Sequence, residues 1–228
     1  MKTPEFDKFA DEYESNHRKN IRVSGESPEF FAEYKIRDIR KVVGQSNTPK
    51  ILDFGGGIGG SITPLRTIFP EADIVCLDVS ERSLEIAKHR CGDAAKYICF
   101  DGKNLPFNDN IFDIILATCV FHHIEHNLHE FFLREFHRLL IPGGRVFVFE
   151  HNPLNPLTRR AVNTCEFDEN AVLIGGESMK KKIVQAGFSD VKLRYRIFFP
   201  HALAFLRPLE HYLYNLPLGA QYYVVGVK

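Results

Sequence analysis

The stretch Ile51-Leu52-Asp53-Phe54-Gly55-Gly56-Gly57-Ile58-Gly59-Gly60 decides the fold. Apolar residues flank an acid, and a run of glycines then strips the side chains from a turn that leads into a helix-compatible segment. Glycine tolerates positive φ and lets another group touch bare backbone, and a helix N-terminus favours anionic or polar ligand atoms. The pattern is that of a strand-to-helix turn built against a ligand.

Outward from this turn, strand and helix patterns alternate. Residues 51–54 read as a buried strand, 61–69 as a helix and 74–77 as a second strand. Ser80 is predicted to cap a helix running to about residue 90. Residues 96–100, 111–117 and 145–150 are three further strands. Asn127 with Glu130 predicts a capping box for a helix carrying Phe132, Phe136 and Leu139 on one face, which Pro142-Gly143-Gly144 stops. Nearly continuous apolar strands alternating with helices predict a parallel sheet covered on both faces. Upstream, Phe6, Phe9, Ala10 and Tyr13 recur at helical spacing, and Ser27-Pro28 opens a helix that Gly44 closes. Downstream, an irregular stretch over 151–176 precedes a helix ending at Gly187. Residues 191–199 and 220–227 then read as two strands without a crossover helix, so they should pair antiparallel.

Zero net charge, from 29 basic and 29 acidic residues among 228, gives no bulk field for nucleic acid. Apolar residues at 44% and charged residues at 25% are ordinary for a globular chain. The five cysteines show no C-x-x-C spacing and read as reduced thiols, with Cys76 and Cys99 inside apolar runs. Residues 1–10 are polar and acidic, unlike a signal peptide, and no run reaches membrane-spanning length. The expectation is a cytoplasmic protein without stable membrane insertion.

Three acids fall at strand ends: Asp53, Asp78 and Asp101. The C-terminal ends of neighbouring strands in a doubly wound sheet line one crevice. An acid after the second strand can accept from two ribose hydroxyls, and one after the third from an exocyclic amine. Each alone also fits a turn residue or N-cap; together with the glycine turn they outline an adenosine-shaped slot.

On these residues the chain resembles the class I S-adenosylmethionine-dependent methyltransferases, in the branch similar to ubiquinone/menaquinone C-methyltransferases and related small-molecule enzymes. Asp53-Phe-Gly55-Gly-Gly57-Ile-Gly59 carries the first motif, and Asp78 and Asp101-Gly102 the next two. Leu105-Pro106-Phe107, Phe112-Asp113, Phe121-His122-His123-Ile124 and residues 139–144 carry the remainder, covering about 50–150. The resemblance implies a Rossmann-like α/β fold, a doubly wound, mostly parallel seven-stranded sheet with an antiparallel terminal strand and helices on both faces. It implies S-adenosyl-L-methionine as cofactor, with Gly55 and Gly57 against its methionine part and Asp53 orienting the turn. Asp78 would hold the ribose, Val79 would flank the adenine, Asp101 and Gly102 would contact its edge, and Thr118 would lie near the methionine moiety. Residues 1–49 would form an N-terminal helical cap on the cofactor domain at 50–228, with 151–176 and 200–218 as acceptor-side insertions.

Methyl transfer needs positioning and, for O- or N-acceptors, sometimes a base. The candidates are His151 and Glu150 after the fifth strand and His122 and His123 after the fourth. His123 also fits a pocket or structural role, and Glu150 a turn cap or ion pair. His201 and the aromatic residues Phe198, Phe199 and Phe205 fit packing, with a pocket for an apolar acceptor as the sharper reading of the aromatic group. No metal site is expected. The acceptor reads as a small molecule, sugar- and lipid-linked ones included. Gly55-x-Gly57-x-x-Gly60 also fits a dinucleotide fingerprint, so an NAD-dependent oxidoreductase is one alternative, opposed by Asp53 ahead of the turn and by Asp101. A non-catalytic cofactor-binding protein of the same fold is another.

Overall fold

The computed structural model describes residues 21, 24–44, 48–165 and 170–228; the expected helix carrying Phe6 to Tyr13 lies outside them. Seven strands, β1 (Lys50–Phe54), β2 (Asp73–Asp78), β3 (Lys96–Cys99), β4 (Phe112–Thr118), β5 (Leu140–His151), β6 (Ser189–Arg196) and β7 (Gln221–Val227), form one sheet in the order β3-β2-β1-β4-β5-β7-β6. Strands β1 to β5 pair in parallel, and β7 runs antiparallel to both β5 and β6. The antiparallel strand is therefore the last in sequence but sits inside the sheet. The chain steps outward from β1 through β2 to β3, then returns to β4 on the other side of β1. That reversal opens a crevice at the C-terminal ends of β1 and β4, the usual ligand position in such sheets.

Alternate residues of each strand feed two cores, as the two-residue period of a strand requires. On one face Leu52, Val75, Ile115 and Val148 pack against Phe132, Leu133 and Phe136 of α4 (His129–Leu139) and Met179 and Ile183 of α6 (Gly176–Gln185). On the other, Ile51, Ile74, Ile114 and Phe149 pack against Phe31, Tyr34 and Ile39 of α1 (Pro28–Val43) and Leu65 of α2 (Ile62–Ile68). Ser27 caps α1 by accepting from the Phe30 amide at 3.3 Å, and Ser80 caps α3 (Glu81–Cys91) by accepting from Ser83 at 3.0 Å. Each such cap is worth about 1 kcal/mol.

Several boundaries differ from the expectation. The Asn127 capping box does not form: α4 starts at His129 after Leu128, and Glu130 pairs instead with Arg134 at 2.7 Å. Strand β5 takes in Pro142-Gly143-Gly144, because the Gly143 amide donates to the Lys228 carbonyl and the Lys228 amide to Gly144. The stretch read as irregular contains α5 (Pro156–Asn163), capped by Asn155, which accepts from the Leu157 and Thr158 amides at 3.0 Å each. Strand β6 stops at Arg196 because Ile197 takes φ +61°. A 3-10 stretch, His201–Leu209, and the single turn α7 (Glu210–Leu213) follow it. His201 is exposed and faces Glu26 at 3.1 Å rather than packing, and Cys99 is exposed at the sheet edge strand. Among the described residues no helix is long and apolar enough to cross a membrane.

Candidate active site

The crevice at the β1/β4 switch opens into a cavity of about 650 Å³. Its wall under the switch point is the glycine turn. The Gly55 and Gly56 amides donate to the Leu77 carbonyl at 2.8 and 3.2 Å, which hangs the turn on the end of β2. Gly55 has φ +69°, and a Cβ there would stand 2.6 Å from Val120 Cγ2; one on Gly56 would stand 2.5 Å from Cys76 Sγ. These two glycines are demanded by packing. Gly57, at φ +52°, differs: it lines the cavity, and a Cβ there would meet no atom within 4 Å. Its bare side is open to a ligand.

The three acids take three different positions. Asp78 lines the cavity, with one carboxylate oxygen accepting from the Gly57 amide at 2.8 Å and the other from the Ser80 amide at 2.9 Å. Asp53 lies fully buried behind the turn, and neither of its oxygens has a hydrogen-bond partner. Burial, reinforced by the negative charge of Asp78, pushes its carboxyl up to about 7; Lys35 and the nearby Ser61 hydroxyl act the other way without supplying a well-formed bond. Asp101 is exposed and accepts from the Lys103 and Asn104 amides, both at 2.8 Å. Those bonds hold its carboxyl below the usual range. It closes its own loop, and its neighbour Gly102 forms the cavity wall instead. Val79 and Thr118 are also on that wall.

Beyond the switch, the ends of β4, β5 and β7 carry the other half of the cavity. Cys119 follows β4 with φ +59°, its amide bonded to the Phe149 carbonyl at 2.8 Å. Lys35 Nζ of α1 lies 3.6 Å from Cys119 Sγ, and Gln221 Nε2 at the start of β7 lies 4.0 Å from it. The Tyr34 hydroxyl donates to the Gln221 side-chain oxygen. His151, at the end of β5, is the register partner of Gln221. Burial alone would raise the Cys119 thiol, but Lys35 and His151 outweigh it and bring it down to about 7.

Glu150 is buried and does not reach the cavity. It accepts from the Val120 and Phe121 amides at 3.1 and 2.8 Å and meets His122 Nδ1 at 2.6 Å. Burial works against its ionised form, yet His122 and these amides hold its carboxyl below the usual range. His122 is itself on the cavity wall, with its ring 4.1 Å from that of His123 and 5.4 Å from that of His151.

The cavity thus brings together Gly55, Gly57, Asp78, Val79, Gly102 and Thr118, with His123 and His151 at its other end. Asp53, Asp101 and Glu150 stand behind or beside the wall. Phe198 contributes to the wall, whereas Phe205 is 74% exposed and neither packs nor lines the cavity. No sequence motif marks Lys35, Cys119 or Gln221, yet all three line the cavity. The rule that strand ends line the crevice reaches Cys119 and Gln221; nothing local marks Lys35.

Residues 52–148 match a family described as methyltransferase domain. A ubiquinone/menaquinone biosynthesis C-methyltransferase of Ectopseudomonas mendocina is 30% identical over 125 residues, 52% of this chain and 48% of that protein. The chain spans about half the length of the curated relatives of this kind that it matches. A SAM-dependent methyltransferase of Thermotoga maritima, described as a possible histamine N-methyltransferase, superposes with TM-score 0.69 at 22% identity, covering 98% of this chain and 97% of that one. Phosphoethanolamine N-methyltransferase 2 of Haemonchus contortus, solved with S-adenosyl-L-methionine, superposes with TM-score 0.62 at 19% identity over 86% of this chain and 52% of that one.

Proposed function

Because the chain carries a class I S-adenosylmethionine-dependent methyltransferase domain, similar to that of the ubiquinone/menaquinone C-methyltransferases, we propose that it transfers the methyl group of S-adenosylmethionine to a small-molecule acceptor in the cytoplasm. The observation that carries the reading is a single cavity running from Gly102 past the glycine turn to Cys119 and His151. A nucleoside end and a reacting end fit one chamber.

The residues present suit this cofactor. Gly57 leaves an open cradle beside the Asp78 carboxylate, and Asp53 holds a buried, unpartnered carboxylate behind the same turn. In this reading Gly55 and Gly57 face the methionine part, Asp78 accepts from the ribose hydroxyls and Val79 flanks the adenine. Asp101 shapes the loop that puts Gly102 at the adenine edge, and Thr118 meets the methionine side. The bound cofactor supplies an electrophilic sulfonium methyl, so what the chain adds is alignment and exclusion of water. His151, on the wall at the far end, is the group positioned to take a proton from an oxygen or nitrogen acceptor. Glu150 acts behind it by fixing His122. Helix α1, residues 151–165 and Pro200 cover the acceptor end in this reading, with sugar- and lipid-linked acceptors both within it.

Calorimetric titration with S-adenosylhomocysteine tests the cofactor, and NAD serves as the control. Tight binding of the former, together with turnover of labelled cofactor in a metabolite extract, is the expected result. Preference for NAD would sink the proposal, and binding without turnover would leave a cofactor-binding protein of the same fold.

A further inference from the structure

One cationic group on the cavity wall makes no ion pair among the described residues, although the buried Asp53 carboxyl feels its charge from behind the glycine turn. Lys35 is 8% exposed, lines the cavity, and takes part in no salt bridge among the described residues; its hydrogen-bonding neighbour there is the Cys119 thiol. Removing an ammonium from water is costly unless a negative charge or a set of acceptors replaces the hydration. A thiol at 3.6 Å replaces it poorly. Around the same point stand the His151 imidazole and the Gln221 side-chain amide, the latter held by Tyr34. Three of these groups come from the adjacent ends of β4, β5 and β7, whereas Asp78 ends β2 and Gly102 follows β3 on the far side of the turn. The cluster therefore lies at the end of the cavity away from the nucleoside half.

We infer that Lys35, with His151, Gln221 and Cys119, forms an oxyanion subsite that takes a carboxylate of the acceptor. The inference rests on the methyl-transfer reading and narrows its substrate class to small acids. The planar carboxylate can accept from the ammonium and the amide at the end of the cavity that Lys35, Cys119, His151 and Gln221 line.

Two alkylating probes of nearly equal size test this: iodoacetate, which carries a carboxylate, and iodoacetamide, which is neutral. With either, the Cys119 thiolate forms a carbon–sulfur bond, the carbon–iodine bond breaks and iodide leaves. Peptide mapping by mass separates Cys119 from the other cysteines. Relative to the same protein unfolded in urea, folded protein should favour iodoacetate at Cys119 by about fivefold or more, the scale of one ion pair, and with saturation. The Lys35→Met variant should lose the preference. If that variant does not fold, the wild-type ratio decides alone: no preference for iodoacetate overturns the subsite. Saturating S-adenosylhomocysteine should leave the preference in place. If it abolishes the preference while 5′-methylthioadenosine does not, the carboxylate bound there is the cofactor's own, and the acceptor assignment falls. A preserved preference in protein that binds no S-adenosylhomocysteine would instead overturn the methyl-transfer reading and the acceptor assignment with it.

Discussion

The Asp78 carboxylate accepts from the Gly57 amide at 2.8 Å, so the acid that ends β2 also clasps the turn that follows β1. Scaffold and proposed ribose ligand are one group. Asp78→Ala is expected to lower S-adenosylhomocysteine affinity by about 10- to 100-fold, the range of hydrogen bonds to a charged group, and to loosen the turn. Asp78→Asn keeps one acceptor oxygen and should fall between. Calorimetry on both variants checks the order; an Ala variant that binds like wild type removes Asp78 from the site.

Gly55 and Gly57 should separate stability from binding. In Gly55→Ala the new methyl meets Val120 at 2.6 Å and sits at φ +69°, so urea unfolding should show a loss of about 1–3 kcal/mol. Gly57→Ala has room for its methyl and carries only the strain of φ +52°, about 1 kcal/mol. Its larger effect should be on cofactor affinity. If Gly57→Ala unfolds early yet binds normally, the open side of that glycine is not a ligand cradle.

Asp53 sets a pH dependence of stability. Its folded carboxyl titrates at about 7 against 3.8 ordinarily, so the folded state holds the proton longer than the unfolded chain. The associated stability is complete below about pH 4 and is lost as pH rises through about 7. Asp53→Asn cannot ionise. It should therefore be more stable than wild type at pH 8, by at most about 4 kcal/mol for a three-unit shift, with the gap closing towards pH 5. Urea melts at the two pH values measure this, and a gap that does not change with pH would contradict it.

Glu150 runs in the opposite direction. Its carboxyl is held low, so its contribution is present above the ordinary value of a glutamate and is lost as pH falls through the folded one. Glu150→Gln leaves the buried His122 without its anion, and breaking such a pair costs about 3–5 kcal/mol. The deficit, read from denaturant midpoints, should shrink below about pH 4.

Phe205 is expected to be silent towards folding. With 74% of its surface exposed, Phe205→Ser should change stability by no more than about 0.5 kcal/mol, and cofactor affinity should be unaffected. A cooperative loss of structure would show that Phe205 packs in solution.

What was legible in the chain was whatever depends on neighbours in sequence. The strand–glycine–helix turn, the Ser27-Pro28 cap and the acids at strand ends are local patterns, and the parallel sheet follows from their alternation. The Asn155-Pro156 start of α5 carries the same signal as Ser27-Pro28, but the helix it opens is only eight residues long and offers few apolar positions to show a period. The Asn127 box failed in the other direction: the motif is present, but the Leu128 amide turns back to the Glu125 carbonyl and the helix begins one residue later than the box requires. Asp101 matches a motif position, yet three short-range bonds within its own loop take up its carboxylate. Lys35 was invisible because nothing in α1 says that one lysine faces inward; that depends on Cys119, 84 positions away, arriving beside it.

Strand β7 sits between β5 and β6 and brings Gln221 to the cavity. During synthesis, β5 can dock on β4 as soon as it emerges, but β6 has no seat until the seven residues of β7 slide in beside it. The place of Gln221 at the acceptor end thus depends on a pairing that spans about a third of the chain. A chain lacking β7 would keep the nucleoside wall and lose Gln221 from the other end of the cavity.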